Sequence, residues 1–398
     1  MTVLPPRHRR FPSVAFAGAL AMAAAMGFGR FSFTPILPGM MADLHLRPDD
    51  AGLIAAANFL GYLAGAVLAG QGWAAGRERW LALLSLLTTS LLLAAMALTS
   101  DVGLFMLIRF LSGVASAFAM IFTSAIVLAD VGLQADPRTG EQAQSIHFGG
   151  VGAGIAASSL LVFGLSHLEG VLALAGWRLD WLAGAALTVL IFLAVRRLLP
   201  APGKSAVRHE KEPPLAWSRS FLLLFASYGL FGFGYVITAT FIVTMARMAH
   251  AGPVAEFLSW FLAGITAAVS LFAWRPVLDR LGLFGSYSLA LLLAAIGVFA
   301  SVGLPGIAAP LTGATLLGAT FMAITAYGLR LARQLVPASP RKALSIMTVA
   351  FGIGQTIGPL AAGWLAAISG SFALPSLVAG AVLLASLILA ASLWRKTV

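Results

Sequence analysis

Long runs of apolar residues, separated by short polar stretches, dominate this chain. The hydrocarbon core of a bilayer is about 30 Å thick, so a helix that crosses it needs roughly 20 apolar residues. Five runs without a charged residue reach that length and each predict one membrane helix: 52–76, 80–100, 110–129, 142–168 and 220–246.

Two longer charge-free runs each predict a hairpin of two helices. The run 281–329 is broken at Pro305, and the run 343–394 is broken around Ser369 to Ser371. Pro and Gly interrupt helices and favour turns, which places a loop at each break. Three further segments, near 12–40, 177–196 and 254–276, complete a set of twelve predicted membrane helices.

Composition supports a membrane protein and excludes other classes. Of the 398 residues, 60% are hydrophobic and only 10% are charged, whereas a soluble domain is about 25% charged. Disordered chains have the opposite composition, with few apolar and many charged residues. Cysteine is absent, which removes disulfides, thiol nucleophiles and cysteine metal sites.

The distribution of Lys and Arg predicts the orientation of the chain. With the N-terminus in the cytoplasm, 20 of the 25 basic residues fall on the cytoplasmic side, and only Arg47, Arg178 and Arg247 fall on the other. Cytoplasmic loops carry an excess of Lys and Arg, so both termini are expected in the cytoplasm. Topology thus explains the net charge of +11, and no nucleic-acid partner is expected.

The first apolar run, which follows Arg7 to Arg10, resembles a cleavable signal peptide. We interpret it instead as the first membrane helix, because its far end recurs in the second half of the chain. Gly27-Phe28-Gly29 returns as Gly232-Phe233-Gly234, and Gly113 returns as Gly318, both at an offset of 205 residues. The segments at Gly150 and Gly352 match at an offset of 202.

These recurrences predict a parallel repeat of two pseudo-symmetric six-helix bundles. The longest polar stretch lies between them and is rich in Lys, Arg, Glu and Pro. We therefore divide the chain into an N-terminal bundle (1–195), a basic cytoplasmic linker (196–219) and a C-terminal bundle (220–398).

Several motifs resemble those of the major facilitator superfamily (MFS) of secondary transporters. Arg109-Phe-Leu-Ser-Gly113 resembles its R-x-x-x-G motif, and the segment from Gly354 to Pro359 resembles its G-x-x-x-G-P pattern. The segment from Gly27 to Pro38, together with Asn58-Phe-Leu-Gly61-Tyr62, is similar to the bacterial YbfB/YjiJ-type subgroup. The resemblance implies an all-α MFS fold with a cavity lined by helices 1, 4, 7 and 10.

The resemblance also implies a gating loop. Asp279-Arg280-Leu281-Gly282, after the eighth helix, resembles the core of a loop that latches one conformation in this superfamily. The corresponding loop after the second helix contains Arg77 but has no aspartate. The loop of the N-terminal half therefore departs from the latch motif of the superfamily.

Arg30 and Arg109 are the charges expected within the bilayer. Each costs roughly 2.5–3.5 kcal/mol to insert, so such residues usually face a wet cavity or a partner. The alternative for Arg30 is snorkelling, or bonding to carbonyls freed by Pro35 and Pro38. All 14 acidic residues fall in loops or near helix ends. A positive cavity without a buried acid favours an anionic substrate, because Arg offers a fork of donors to a carboxylate or phosphate.

Four other polar residues at membrane depth are candidates for substrate contact or coupling. His147 could carry a coupling proton or could be a neutral residue bonded to a helix carbonyl. Asn58 and Gln355 could contact substrate or join helices by hydrogen bonds. Tyr235, which corresponds to Arg30 across the repeat, could stack on a ligand or belong to the core.

The sequence therefore predicts a monomeric secondary transporter of a small organic solute, with an anion favoured, in the bacterial inner membrane. The transported molecule, a coupling ion such as a proton and the lipid bilayer are its expected partners. The alternative is an efflux pump for amphipathic drugs or metabolites. Neither an enzyme nor a receptor is favoured, because catalytic motifs and an added soluble domain are missing, and no cofactor or metal is expected.

Overall fold

The computed structural model describes residues 11–132, 137–167, 174–200 and 212–394. These residues contain twelve helices long and apolar enough to cross a membrane, and no strand. The predicted number of membrane helices is confirmed. Part of the predicted linker, 201–211, and the extreme termini lie outside the described residues.

We number the membrane helices α1 to α12 in chain order. α1 consists of an α-helix (Phe11–Met22), a π-helical segment (Ala23–Phe28) and a second α-helix (Phe33–Leu44). The other helices of the N-terminal half are α2 (Pro48–Ala69), α3 (Glu78–Met96), α4 (Val102–Gly132), α5 (Pro137–Ser166) and α6 (Gly176–Leu198). Those of the C-terminal half are α7 (Arg219–Met248), α8 (Pro253–Ala273), α9 (Arg275–Gly303), α10 (Ala308–Leu335), α11 (Pro340–Ser369) and α12 (Ala373–Trp394).

Both predicted hairpins are present, with turns at 304–307 and 370–372. The predicted fourth helix was too short, because the charge-free run began only after Arg109. The helix starts at Val102, so Arg109 lies within it. Its guanidinium is buried among backbone groups, which explains why a charge does not end the helix.

The repeat is visible in how the helices pack. A side chain on Gly113 of α4 would overlap the carbonyl oxygen of Asn58 on α2. A side chain on Gly318 of α10 would overlap the carbonyl oxygen of Ala263 on α8. Asn58 and Ala263 are themselves 205 residues apart, which is the offset of the two glycines. The two halves therefore use the same close helix contact, which small residues allow in membranes.

The two halves meet along a seam that we define by the pairs α2–α11, α5–α8 and α1–α7. In the second half of α1, the Thr34 hydroxyl donates to the Ala239 carbonyl oxygen of α7 at 2.7 Å. By contrast, α4 and α10 make no comparable packing contact within the described residues. The bundle is therefore closed between its halves at the Thr34 end.

α1 is interrupted in the middle of the membrane. In its π-helical segment, the Gly29 N–H donates to the Ala24 carbonyl oxygen, five residues back. The carbonyls of Gly29 and Arg30 then accept from Arg109 of α4, at 3.1 Å from Nη1 and 2.9 Å from Nη2. Backbone carbonyls left without a partner in a bilayer cost several kcal/mol. Arg109 therefore stabilises the interruption that positions Arg30.

The end of the linker is bound to the start of α11. The carboxylate of Glu212 accepts from the backbone N–H groups of Arg341 and Lys342, both at 3.0 Å, and from Arg341 Nε at 2.9 Å. Lys342 Nζ donates to the Glu212 and Pro213 carbonyl oxygens. Carboxylates favour helix N-termini, whose first N–H groups lack helical acceptors. We call this arrangement the Glu212 clasp.

We predict that Arg109→Gln destabilises the protein by weakening the α1 interruption. The substitution removes two hydrogen bonds from a charged donor, which contribute about 1.5–3 kcal/mol each. Because a buried charge is removed at the same time, part of this lost stability is regained. The expected loss is roughly 2–4 kcal/mol, seen as a lower melting temperature of the purified protein. Arg109→Lys should fall between Arg109→Gln and wild type. Equal melting temperatures for Arg109→Gln and wild type would contradict this role.

We also predict that the Glu212 clasp depends on pH. Partial burial raises the pKa of Glu212, but the hydrogen bonds from Arg341 and Lys342 outweigh burial and lower this pKa below its ordinary value. Because the pKa is lower in the folded state, the clasp stabilises the protein above the ordinary glutamate pKa of about 4.3 and is lost as the pH falls through the folded value.

Hydrogen exchange at 339–345 measures the clasp directly. Glu212→Gln should speed exchange of the Arg341 and Lys342 amides at pH 7, and this difference from wild type should disappear at a pH low enough to protonate Glu212 in the folded protein. Glu141→Gln, which changes an exposed carboxylate on α5, is the matched control and should leave the segment unchanged. A Glu212→Gln effect of equal size at both pH values would contradict the ionic origin of the clasp.

Candidate functional site

Arg30 lies two residues after the π-helical segment of α1 and is 3% exposed. Its Nη2 donates to Oε1 of Gln355 on α11 at 2.7 Å. Its Cζ lies 4.1 Å from the ring centre of Tyr62, 4.6 Å from that of Phe59 and 5.5 Å from that of Phe31. A cation over desolvated aromatic faces gains about 2 kcal/mol, which offsets much of the cost of its burial.

Among the described residues, no carboxylate forms an ion pair with this charge. The ion pairs within the described residues are Arg47–Asp49, Arg247–Glu256 and Arg341–Glu212, and none involves Arg30 or Arg109. The Nε atoms of Arg30 and Arg109 also have no hydrogen-bond acceptor among those residues. The interior therefore holds two neighbouring positive charges whose partners are neutral carbonyls, an amide and aromatic rings.

Gln355 connects Arg30 to Tyr235 of α7. Its side-chain nitrogen donates to the Tyr235 hydroxyl. The Tyr235 ring lies nearly parallel to those of Phe321, with centres 5.9 Å apart, and Phe351, with centres 5.6 Å apart. A chain of polar contacts thus runs from the N-terminal half to an aromatic stack in the C-terminal half. We call Arg30–Gln355–Tyr235 the seam bridge.

Asn58 and Arg109 lie beside the seam bridge but are directed at backbone. Asn58 Nδ2 donates to the Arg109 carbonyl oxygen at 2.8 Å, which joins α2 to α4, while its Oδ1 has no donor within the described residues. Arg109 donates to the carbonyls of Gly29 and Arg30. These contacts correspond to the alternative in which a polar residue joins helices.

His147 does not share this site. Its Nε2 lies 2.8 Å from the Ser124 hydroxyl of α4, and its ring lies so close to Gly18 of α1 that a side chain there would overlap it. His147 is fully buried at a junction of α1, α4 and α5 within the N-terminal half. The contacts are those of an interhelical packing residue.

The residues predicted for the gating loop lie at an exposed end of the bundle. Arg77, Asp279 and Arg280 are exposed, and none forms an ion pair within the described residues. Gly282 has a φ of 64° and interrupts α9 near its start. A positive φ favours glycine, which accounts for the residue type at that turn. The structure does not bring these four residues into contact with the seam bridge.

A small enclosed cavity lies next to the seam bridge. Its lining comes from both halves: Phe31, Ile155, Tyr235, Ala239, Trp260, Ala263, Leu317 and Phe321. Its volume is about 10 Å³, which is room for at most one water molecule. The helices that contribute are α1, α7 and α10, as the family resemblance implies, together with α5 and α8.

Sequence reasoning missed the aromatic residues of this region. Tyr62, Phe59, Trp260 and Phe321 were not predicted as site residues, because the chain contains 40 aromatic residues and their spacing singles out none. The spacing of Phe59 and Tyr62, three residues apart on one helix face, was the available signal. It becomes informative only once Arg30 is placed against that face.

Solved transporter structures share this fold. The nucleoside transporter NupG aligns over 96% of this chain and 99% of its own, with 16% identity and a TM-score of 0.70. A bacterial homolog of the human lysosomal transporter Spinster, solved in an inward-facing and occupied conformation, aligns over 99% of this chain and 98% of its own, with 14% identity and a TM-score of 0.71. At these identities the likeness concerns the fold alone.

No curated protein matches the sequence of this chain. A family model described as uncharacterised MFS-type transporter YbfB matches residues 22–391. The match covers both halves, and the twelve helices, the repeated packing and the solved structures agree with it. The chain therefore belongs to the YbfB-type family of MFS transporters and is a multi-pass membrane transporter rather than an enzyme.

Proposed function

We propose that the chain is a secondary active transporter of a small organic anion, working as a monomer by alternating access in the bacterial inner membrane. The observation that carries this proposal is the Arg30 guanidinium. It is buried between the halves, has no carboxylate within the described residues, and donates to a neutral amide.

An anion is the ligand that such a site favours. A carboxylate accepts hydrogen bonds from a guanidinium more strongly than an amide oxygen does, because both partners are charged. Arg109, which donates to the Arg30 carbonyl, adds a second positive charge to the same region. In a low-dielectric interior these charges act on an entering anion with little screening.

Binding of an anion would break the seam bridge. A carboxylate at Arg30 replaces Gln355 Oε1 as the acceptor, and Gln355 then loses its hydrogen bond to the N-terminal half. Since Arg30 belongs to one half and Gln355 to the other, this exchange couples substrate binding to movement of the halves. A ligand shifts such an equilibrium only by contacts that differ between the two states.

The direction of opening follows from the packing and the predicted orientation. α1 and α7 are closed at the Thr34 end, which the positive-inside rule places outside the cell. At the opposite end, Arg330, Arg333 and Gln334 line a surface cleft that lies within the C-terminal half, at the turn between α10 and α11. With both termini in the cytoplasm, this cleft faces the cytoplasm.

A proton is the first candidate for the coupling ion.

Efflux of amphipathic compounds is the second candidate function. The observation that favours it is the aromatic lining of the cavity, in which Phe31, Trp260 and Phe321 offer apolar contact area. The two functions differ in whether binding requires a negative charge.

We predict that carboxylates stabilise the purified protein and that their matched amides do not. Butyrate with butyramide, and nicotinate with nicotinamide, are suitable probe pairs for a thermal-shift titration, because a ligand of the native state raises the melting temperature. Loss of one charge-assisted hydrogen bond, about 1.5–3 kcal/mol, should weaken carboxylate binding to Arg30→Gln about ten- to a hundredfold. Arg30→Lys retains the charge but not the fork of donors, so its carboxylate affinity should lie between those of wild type and Arg30→Gln.

Arg47→Gln is the matched control, because it removes an exposed arginine that pairs with Asp49 at the membrane surface. It should bind the carboxylates as wild type does. Equal stabilisation by acids and amides, or unchanged carboxylate binding to a folded Arg30→Gln protein, would contradict the anion proposal and favour amphipathic efflux.

A further inference from the structure

Resting on the proposed anion site at Arg30, we propose that the substrate is a planar aromatic carboxylate. Its ring would occupy a slot between Phe31 of one half and Trp260 and Phe321 of the other. The carboxylate would bind Arg30, which directly precedes Phe31 in the chain.

The aromatic contacts that cross the seam define this slot. The Phe31 ring centre lies 6.3 Å from that of Trp260 and 6.5 Å from that of Phe321, where the rings meet edge to face. All three side chains line the enclosed cavity. They come from α1, α8 and α10, so movement of the halves separates Phe31 from both partners.

A flat aromatic ligand would replace the ring contacts that are lost when the halves separate. Aromatic rings gain from stacked or edge-to-face contact beyond the area they bury. In the closed state the slot has about 10 Å³ of free space, so the side chains fill it themselves. Once the halves part, the faces of Phe31 and Phe321 lie open, and a single ring can contact both. A saturated ring of similar size has no π-face and recovers only the apolar burial.

Two unpartnered donors add polar recognition. The indole N–H of Trp260 is buried, with the residue 1% exposed, and has no acceptor among the described residues. Arg30 Nε also lacks an acceptor there. A buried donor without a partner is costly, so a ligand that supplies an acceptor gains by relieving it. A carboxylate offers two oxygens, and a ring heteroatom would offer a third acceptor.

The position of the guanidinium fits a ligand with its charge beside its ring. Arg30 Cζ lies 5.5 Å from the Phe31 ring centre. The same guanidinium is surrounded by Tyr62 and Phe59 on the side of α2. A carboxylate attached directly to a ring can therefore contact Arg30 while the ring contacts Phe31. A long aliphatic acid would leave those aromatic faces without a partner.

The test compares benzoate with cyclohexanecarboxylate, which has the same charge and similar size but no planar ring. Calorimetric titration of the full-length protein in detergent should show benzoate binding about tenfold more tightly. Phe321→Leu should bring this ratio close to one while benzoate still binds better than benzamide. Trp260→Phe, which keeps a ring but removes the N–H, should weaken both acids and preserve the ratio.

The melting temperature of each variant, measured without ligand, establishes that it is folded, and Phe163→Leu is the matched control. Phe163 stacks on Phe257 across α5 and α8, away from the cavity lining, and its replacement should leave the ratio unchanged. Equal affinity for benzoate and cyclohexanecarboxylate would overturn the aromatic inference alone. Equal affinity for benzoate and benzamide would overturn the anion proposal, and no binding of either acid would overturn both.

Discussion

The burial of two arginines that have no carboxylate partner in the described parts of the chain is the constraint on which the rest of this structure depends. A guanidinium in a low-dielectric interior must obtain acceptors from the backbone, from neutral side chains or from a ligand. Arg109 obtains them from α1 itself, at the two carbonyls that the π-helical interruption frees. The burial of Arg109 is thus linked to the interruption of α1, to the position of Arg30 and to the tight α2–α4 contact at Gly113.

Arg30 obtains its acceptor from the other half, across the seam. Its hydrogen bond to Gln355, and that of Gln355 to Tyr235, connect two halves whose other contacts are mainly close backbone packing. Close backbone packing through small residues does not depend on the charge of the bound ligand. A hydrogen bond from a charged group does, because a ligand can compete for that group. The seam bridge is therefore the contact through which the anion that we propose as substrate would change the balance between the two arrangements of the halves.

The fold could be predicted because it follows from local features of the sequence. Apolar runs of bilayer length, breaks at Pro305 and at Ser369 to Ser371, and glycines at a fixed offset gave twelve helices and the repeat. Individual candidate residues were also recognisable, since Arg30 is a charge in an apolar run. Their contacts were not, because Arg30 and Gln355 are 325 residues apart and no local pattern relates them.

Other features were hidden for specific physical reasons. A π-helical segment differs from an α-helix by one residue per hydrogen bond, and the apolar residues Ala23–Phe28 give no sign of it. The sequence left His147 open between a coupling residue and a neutral packing residue, because its packing against Gly18 depends on a neighbouring helix. The division at 196–219 stays a prediction, with 201–211 outside the described residues.

The most direct measurement of the central claim is the distance between spin labels at the two ends of the seam, with and without the seam bridge. The chain has no native cysteine, so labels can be placed at the exposed positions Ala42 and Met248 near one end and Ala125 and Gln334 near the other. If the bridge stabilises the state closed at the Thr34 end, Arg30→Gln should lengthen the first distance and shorten the second in lipid nanodiscs. Distances that stay unchanged, or that change in the same direction, would contradict the account.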